Sequence, residues 1–201
     1  MSSIRKGDGF VASLTAHTAL GGDAPRDEVI GGIRITEIAD TDLASLAIRR
    51  GGGDAAMRAA KTMFGGLPAA GGMMSKGGDS IIWMGADQYL VEAADSAEMP
   101  GRAASALAVA VGAAATVTDQ SDAYARFDLQ GERLLDMLER LSAADSRMMG
   151  AGATVRTPIH HMLCLLVCRE PGTRFTIYGP RSSAASLHHA LTAAAGSLAH
   201  G

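Results

Sequence analysis

With 201 residues the chain has room for one large domain or two small ones, and for a sizeable core. Hydrophobic residues make up 47% and charged residues 19%, which excludes a disordered chain, and a formal net charge of -3 without any basic run argues against a nucleic-acid partner. Aromatic residues are only 4% of the chain, so its core must be assembled from small and flexible side chains.

Residues 1–30 are polar and glycine-bearing and read as an N-terminal arm. Arg5 and Lys6 precede Phe10-Val11-Ala12-Ser13-Leu14, but Thr15, His17 and Thr18 break that apolar run, which makes a poor signal-peptide core. No stretch approaches a transmembrane helix, so no membrane partner is expected and the cytoplasm is the expected compartment. Leu43 to Arg49 reads as a strand. Gly51-Gly52-Gly53-Asp54 then reads as a turn with an aspartate N-cap. Ala56, Ala59, Ala60, Met63 and Phe64 fall at helical spacing, and Gly65-Gly66 ends that helix. Ser80–Met84 and Gln88–Ala93 form a hairpin around Gly85-Ala86-Asp87. An alanine-rich helix runs from Pro100 to Val111, closed by Gly112, and Ala115–Thr118 is a short strand.

The second half repeats this order. Ala123–Leu129 is a strand that sets Tyr124, Arg126 and Asp128 on one face. A helix follows from Glu132 to Ser142, then strand from Ala153 to Thr157, from Ile159 to Cys168 and from Arg174 to Tyr178. Ala184, Leu187, Leu191, Ala194 and Leu198 form the apolar stripe of a last helix. Strand-helix-strand-strand-helix therefore occurs twice. The expected fold is α+β, with sheets covered by helices, in a first half at 31–119 and a second at 120–201.

Cofactor and metal motifs are weak. Gly51-Gly52-Gly53 lacks the third glycine of a dinucleotide-binding turn, and Asp54 would repel phosphate. Gly71-Gly72 and Gly77-Gly78 bracket Lys76 without a following Lys-Ser/Thr, so no P-loop is formed. His160-His161 and His188-His189 are adjacent pairs, and adjacent histidines point apart on either a strand or a helix. Cys164 and Cys168 share one strand face roughly 13 Å apart, too far for a disulfide, and read as buried thiols. Ser121, Ser182 and Ser183 have no nucleophile-elbow context. No catalytic, cofactor-binding or metal residue is assigned.

The polar set around the second half's first strand is more informative. Asp119, Asp122 and Arg126 suit either a turn on a half-exposed strand or the charged rim of a subunit interface. Arg181 opens the last helix, where the dipole disfavours a cation, so it calls for an acidic partner, expected on the Asp119–Asp122 turn. Trp83 is the sole tryptophan and suits a core anchor or an interface anchor.

Three segments carry a family resemblance: Trp83-Met84-Gly85-Ala86-Asp87-Gln88-Tyr89-Leu90, Thr118 to Gly131, and Gly179 to Leu187. Over roughly residues 33–198 the chain resembles the gamma subunit of heterotetrameric sarcosine oxidase. It departs from the family at His188, His189 and Ala190, where tryptophans are usual, and at Ala86, where proline is usual. The resemblance implies a fold like the folate-binding domain of the glycine-cleavage aminomethyltransferase. It implies a non-catalytic subunit with alpha, beta and delta partners. In such a complex the partners carry FAD, FMN, NAD, the tetrahydrofolate site and zinc, and together they oxidatively demethylate sarcosine. A gamma-type subunit of an N-methylglutamate dehydrogenase, and a free-standing folate-binding or aminomethyltransferase-like protein, are the alternatives. The latter would need an acid beside the folate, for which Asp119, Asp122 and Asp128 are the candidates.

Overall fold

A computed structural model describes residues 16–39, 41–93 and 101–198. The first fifteen residues of the expected arm, and Pro100 at the expected start of the alanine-rich helix, lie outside the described residues. Eleven strands and four helices follow in chain order among the described residues. They are β1 (Asp27–Ile30), β2 (Ile33–Glu37), β3 (Asp42–Ile48), α1 (Gly53–Phe64), β4 (Met73–Lys76), β5 (Asp79–Gly85), β6 (Gln88–Ala93), α2 (Arg102–Val111) and β7 (Ala115–Asp119). Then come β8 (Tyr124–Gln130), α3 (Leu134–Leu141), β9 (Thr154–Ile159), β10 (Met162–Glu170), β11 (Arg174–Pro180) and α4 (Ala184–Leu198).

The strands form two antiparallel sheets, ordered β1-β2-β8-β11-β10-β9 and β4-β5-β6-β3-β7. Period-two alternation gives each sheet two faces. Ala125, Phe127, Leu129, Phe175, Ile177, Cys164, Leu166 and Cys168 pack under α3 and α4. Ala44, Leu46, Ile81 and Val91 pack with Ala60, Phe64, Leu107 and Val111 of α1 and α2. The opposite faces meet each other through Leu43, Ile82, Leu90, Leu165, Val167 and Tyr178. The sheets are thus the two middle layers and the helices the outer ones. At one edge the sheets also touch by backbone: Thr154 N–H donates to Gly71 C=O at 2.7 Å, and Gly72 bridges Ala153.

The repeat is richer than the sequence order alone. Each half is ββαβββα, running from β2 to α2 and from β7 to α4. Each leading strand leaves its own half. β2 precedes β3 yet pairs with β8, and β7 precedes β8 yet pairs with β3. The sheets therefore do not divide the chain at 119: part of residues 31–119 belongs to the second half's sheet, and β1, within the expected arm, extends it.

Local expectations hold with instructive differences. Gly65 closes α1 in the left-handed conformation at φ 91°. The α1 N-cap is Gly52, not Asp54, which sits inside the first turn and favours the dipole there. Gly52 is needed for another reason: a Cβ on it would lie 2.0 Å from the Ala114 carbonyl oxygen. α3 starts at Leu134, two residues later than expected, after a turn at Gly131 to Arg133. His160 and His161 are not strand. Both have positive φ, 46° and 70°, and they form the tight turn between β9 and β10.

Candidate functional site

β8 and β11 are adjacent and antiparallel, with Tyr124 opposite Pro180. This register brings the start of β8 beside the start of α4, since Arg181 N–H donates to Ala123 C=O at 3.0 Å. A cleft of about 480 Å3 opens there, between this corner, the 16–25 segment and the start of β3. Asp122, Arg126 and Arg181, all singled out in the sequence, line it together with Ser121, Tyr124 and Asp42.

Arg181 does face the turn as expected, at 3.6 Å from Asp122, but the Asp122 carboxylate is 93% exposed. Its stronger partners are backbone: it donates to the His17 carbonyl at 2.8 Å and the Thr18 carbonyl at 3.3 Å. The arginine therefore fastens the 16–18 segment across the corner. Glu37 on β2 fastens the chain that follows, at Leu20 and Arg26. Its buried carboxylate accepts from Leu20 N–H at 2.9 Å and Arg26 N–H at 3.1 Å. Asp119 ends β7, exposed, and its carboxylate accepts from Ser121 N–H at 3.0 Å and the Ser121 hydroxyl at 2.7 Å. The same hydroxyl accepts from Leu43 N–H at 3.1 Å, so Ser121 stitches the turn to β3.

Arg126 is not rim but interior, 3% exposed. It donates to both the hydroxyl and the carbonyl of Thr41, the latter at 2.7 Å, and reaches Glu92 on β6 at 3.4 Å. Glu92, itself buried, is held on its other oxygen by Arg169 of β10 at 2.8 Å. Arg169 continues to the Tyr178 hydroxyl at 2.6 Å and to Thr176 at 2.9 Å. Thr176 donates to Asp128 at 3.2 Å, and Arg174 donates to the same carboxylate at 3.0 Å. A charged network thus runs through the seam between the sheets. Burial works against the Arg169 charge, but the fields of Tyr178, Glu92 and Asp128 outweigh it and raise its pKa. Burial, and then the Glu92 charge, push the Tyr178 hydroxyl far up, so it stays neutral.

Glu92 and Arg169 escaped the sequence reading. Each interrupts an apolar strand, Leu90-Val91-Glu92-Ala93 and Leu163 to Cys168 followed by Arg169, and that interruption was their only signal. Trp83 is half-buried on β5, opposite Tyr89, and belongs to none of the three buried clusters. Cys164 and Cys168 are free buried thiols on the helix-covered face, and burial pushes Cys164 up to about 11. His188 hydrogen-bonds Glu28 of β1 and lies against Phe127. Among the described residues no three His, Cys, Asp or Glu side chains gather as a metal site. No helix among them is long and apolar enough to cross a membrane.

The network and cleft sit within a fold known from solved structures. A chain of the heterotetrameric sarcosine oxidase from Corynebacterium sp. U-96, in complex with pyrrole 2-carboxylate, matches with a TM-score of 0.73 at 24% identity. The match covers 86% of this chain and 89% of that one. The fold is shared with heterotetrameric sarcosine oxidase. The glycine cleavage system aminomethyltransferase T from Bartonella henselae matches with a TM-score of 0.55 at 13% identity, over 77% of this chain and 44% of that one. This chain therefore spans under half of that enzyme's length. No family model and no curated protein sequence matches the chain. The expected α+β architecture and its likeness to the aminomethyltransferase fold are both borne out.

Proposed function

We propose that this chain is the non-catalytic gamma-type subunit of a sarcosine oxidase-like flavoenzyme complex, with a structural and assembly role. The observation that carries the reading is the shared fold over nearly the full length of both chains. The site supports it. The polar groups at the cleft are spent on internal bonds: Arg181 on the 16–18 carbonyls, Ser121 on Asp119 and β3, and Arg126 on Thr41 and Glu92. Such groups hold segments of the chain together. On this reading FAD, FMN, NAD, tetrahydrofolate and zinc belong to alpha, beta and delta partners in the cytoplasm. The complex demethylates sarcosine or a related N-methyl amino acid, N-methylglutamate among them.

A free-standing folate-binding role is the second reading, favoured by the cleft and by the fold shared with the aminomethyltransferase. Calorimetric titration of the isolated chain with tetrahydrofolate separates the two. The subunit reading expects no heat from a colourless chain, and micromolar binding would favour the second reading instead.

A further inference from the structure

The cleft beside the start of α4 has capacity that its internal bonds leave unused. Arg181, with 33% of its side chain exposed, spends Nη2 on the His17 and Thr18 carbonyls. Its Nε and Nη1 make no hydrogen bond with any described residue, and the carboxylate 3.6 Å from Nη1 is that of Asp122, almost fully in water. Arg126, the second arginine of the lining, is bonded to Thr41 and Glu92. The other acids of the cleft are engaged elsewhere: Asp42 accepts from Ala103 N–H, and Asp23 faces His17 at 3.2 Å. A charge largely withdrawn from water is costly unless an anion meets it, and low-dielectric walls concentrate its field in the cleft. Those walls include Ala19, Pro25, Ile38, Ala39 and Tyr124, whose ring stands edge-on to Tyr178. A volume of about 480 Å3 lies within the range of small-molecule sites, roughly 300–1,000 Å3.

We infer that this cleft binds a small organic carboxylate, with an oxygen on Arg181 Nη1 and its apolar part against Ala19, Ile38 and the Tyr124 ring. The inference goes beyond the subunit reading and concerns the chain by itself. The surface selects this ligand class. A guanidinium donating to a carboxylate makes a charge-assisted bond, stronger than one between neutral groups. Nη1 is the nitrogen placed to give it, because Nη2 already serves two carbonyls. The apolar walls favour a carboxylate with a hydrocarbon body over a bare inorganic anion. Binding also orders the guanidinium that holds His17 and Thr18, so the ligand and the 16–18 segment are fastened together.

The test is calorimetric titration of the whole isolated chain with benzoate, benzamide and acetate. Benzoate is expected to bind at least about tenfold more tightly than benzamide, which has its shape without its charge, or acetate, which has its charge without its body. Arg181→Gln is expected to weaken benzoate at least about tenfold. Asp122→Asn, which removes a competing carboxylate, is expected to strengthen it about two- to fivefold. Because Arg181 also anchors the 16–18 segment, Ala39→Phe gives an independent check. Ala39 is exposed, so a ring there fills the cleft without disturbing the core or Arg181, and benzoate binding should be lost. The Thr18 and Gly21 amides, bonded within the adjoining turn, should exchange more slowly with saturating benzoate. Absence of benzoate heat at millimolar concentration, or benzamide binding as tightly as benzoate, overturns the inference. Unaltered benzoate binding by both Arg181→Gln and Ala39→Phe also overturns it, because the ligand then lies elsewhere. None of these outcomes bears on assembly, so the subunit reading stands or falls separately.

Discussion

Arg126 and Arg181 are both tied to the Asp119–Asp122 turn by the sequence reading, but their surroundings separate them. Arg181 meets an almost fully exposed Asp122, and such a pair is worth under about 1 kcal/mol. Glu92 lies between two guanidinium groups in the seam, and removing one member of a buried charge network costs about 3–5 kcal/mol. In urea unfolding, Glu92→Leu is therefore expected to lose several times more stability than Arg181→Ala. Equal losses would mean that the seam charges are solvated. A second expectation concerns pH. The Cys164 thiol ordinarily titrates near 9.0 and is pushed up to about 11 by burial, and burial also raises Cys168. Both are raised above the unfolded value, so their contribution is intact below pH 9 and declines as pH rises towards 11. The urea midpoint should fall over that interval, and Cys164→Ala should fall less steeply. Arg126 was legible because Tyr124, Arg126 and Asp128 alternate within one strand. Glu92 and Arg169 were not, because they are 77 residues apart and only the packing of one sheet on the other joins them.

At the scale of elements, helices were read well because a 3.6-residue stripe needs no knowledge of its neighbour, as in Leu187, Leu191 and Leu198 of α4. The β9–β10 turn was misread because Ile159 to Cys168 is apolar at both ends and histidine is no turn signal. His160 and His161 nonetheless both occupy positive φ, where asparagine and glycine fit with less strain. The double change His160→Asn with His161→Gly is expected to raise stability by about 1 kcal/mol, read as a higher urea midpoint at unchanged slope. A lower midpoint would show that the imidazoles contribute contacts of their own. β2 shows the period-two pattern in its own residues, with Ile33 and Ile35 buried and Arg34 exposed. What its residues do not encode is its partner, because β8 lies ninety residues away across a whole repeat.

At the scale of the molecule, the exchange of β2 and β7 makes each half incomplete alone. A chain cut after Ala114 leaves β2 without β8 and β3 without β7, and a chain starting at Ala115 leaves β7 without β3 and β8 without β2. Fragments 31–114 and 115–201, cut between the repeats, are each expected to show little stable structure by circular dichroism, and to regain the native spectrum on mixing. A fragment that folds with its own sharp transition would contradict the exchange. The intact chain should unfold in one transition, since the seam network binds β6 of the first half to β10 of the second. The assembly role is tested most directly by co-expressing the intact chain with alpha, beta and delta subunits of a sarcosine oxidase-type complex and weighing the product by native mass spectrometry. One copy of this chain is expected in a stable complex whose flavin absorbance is the partners' own. A chain that remains a soluble monomer while its partners assemble without it would contradict the account.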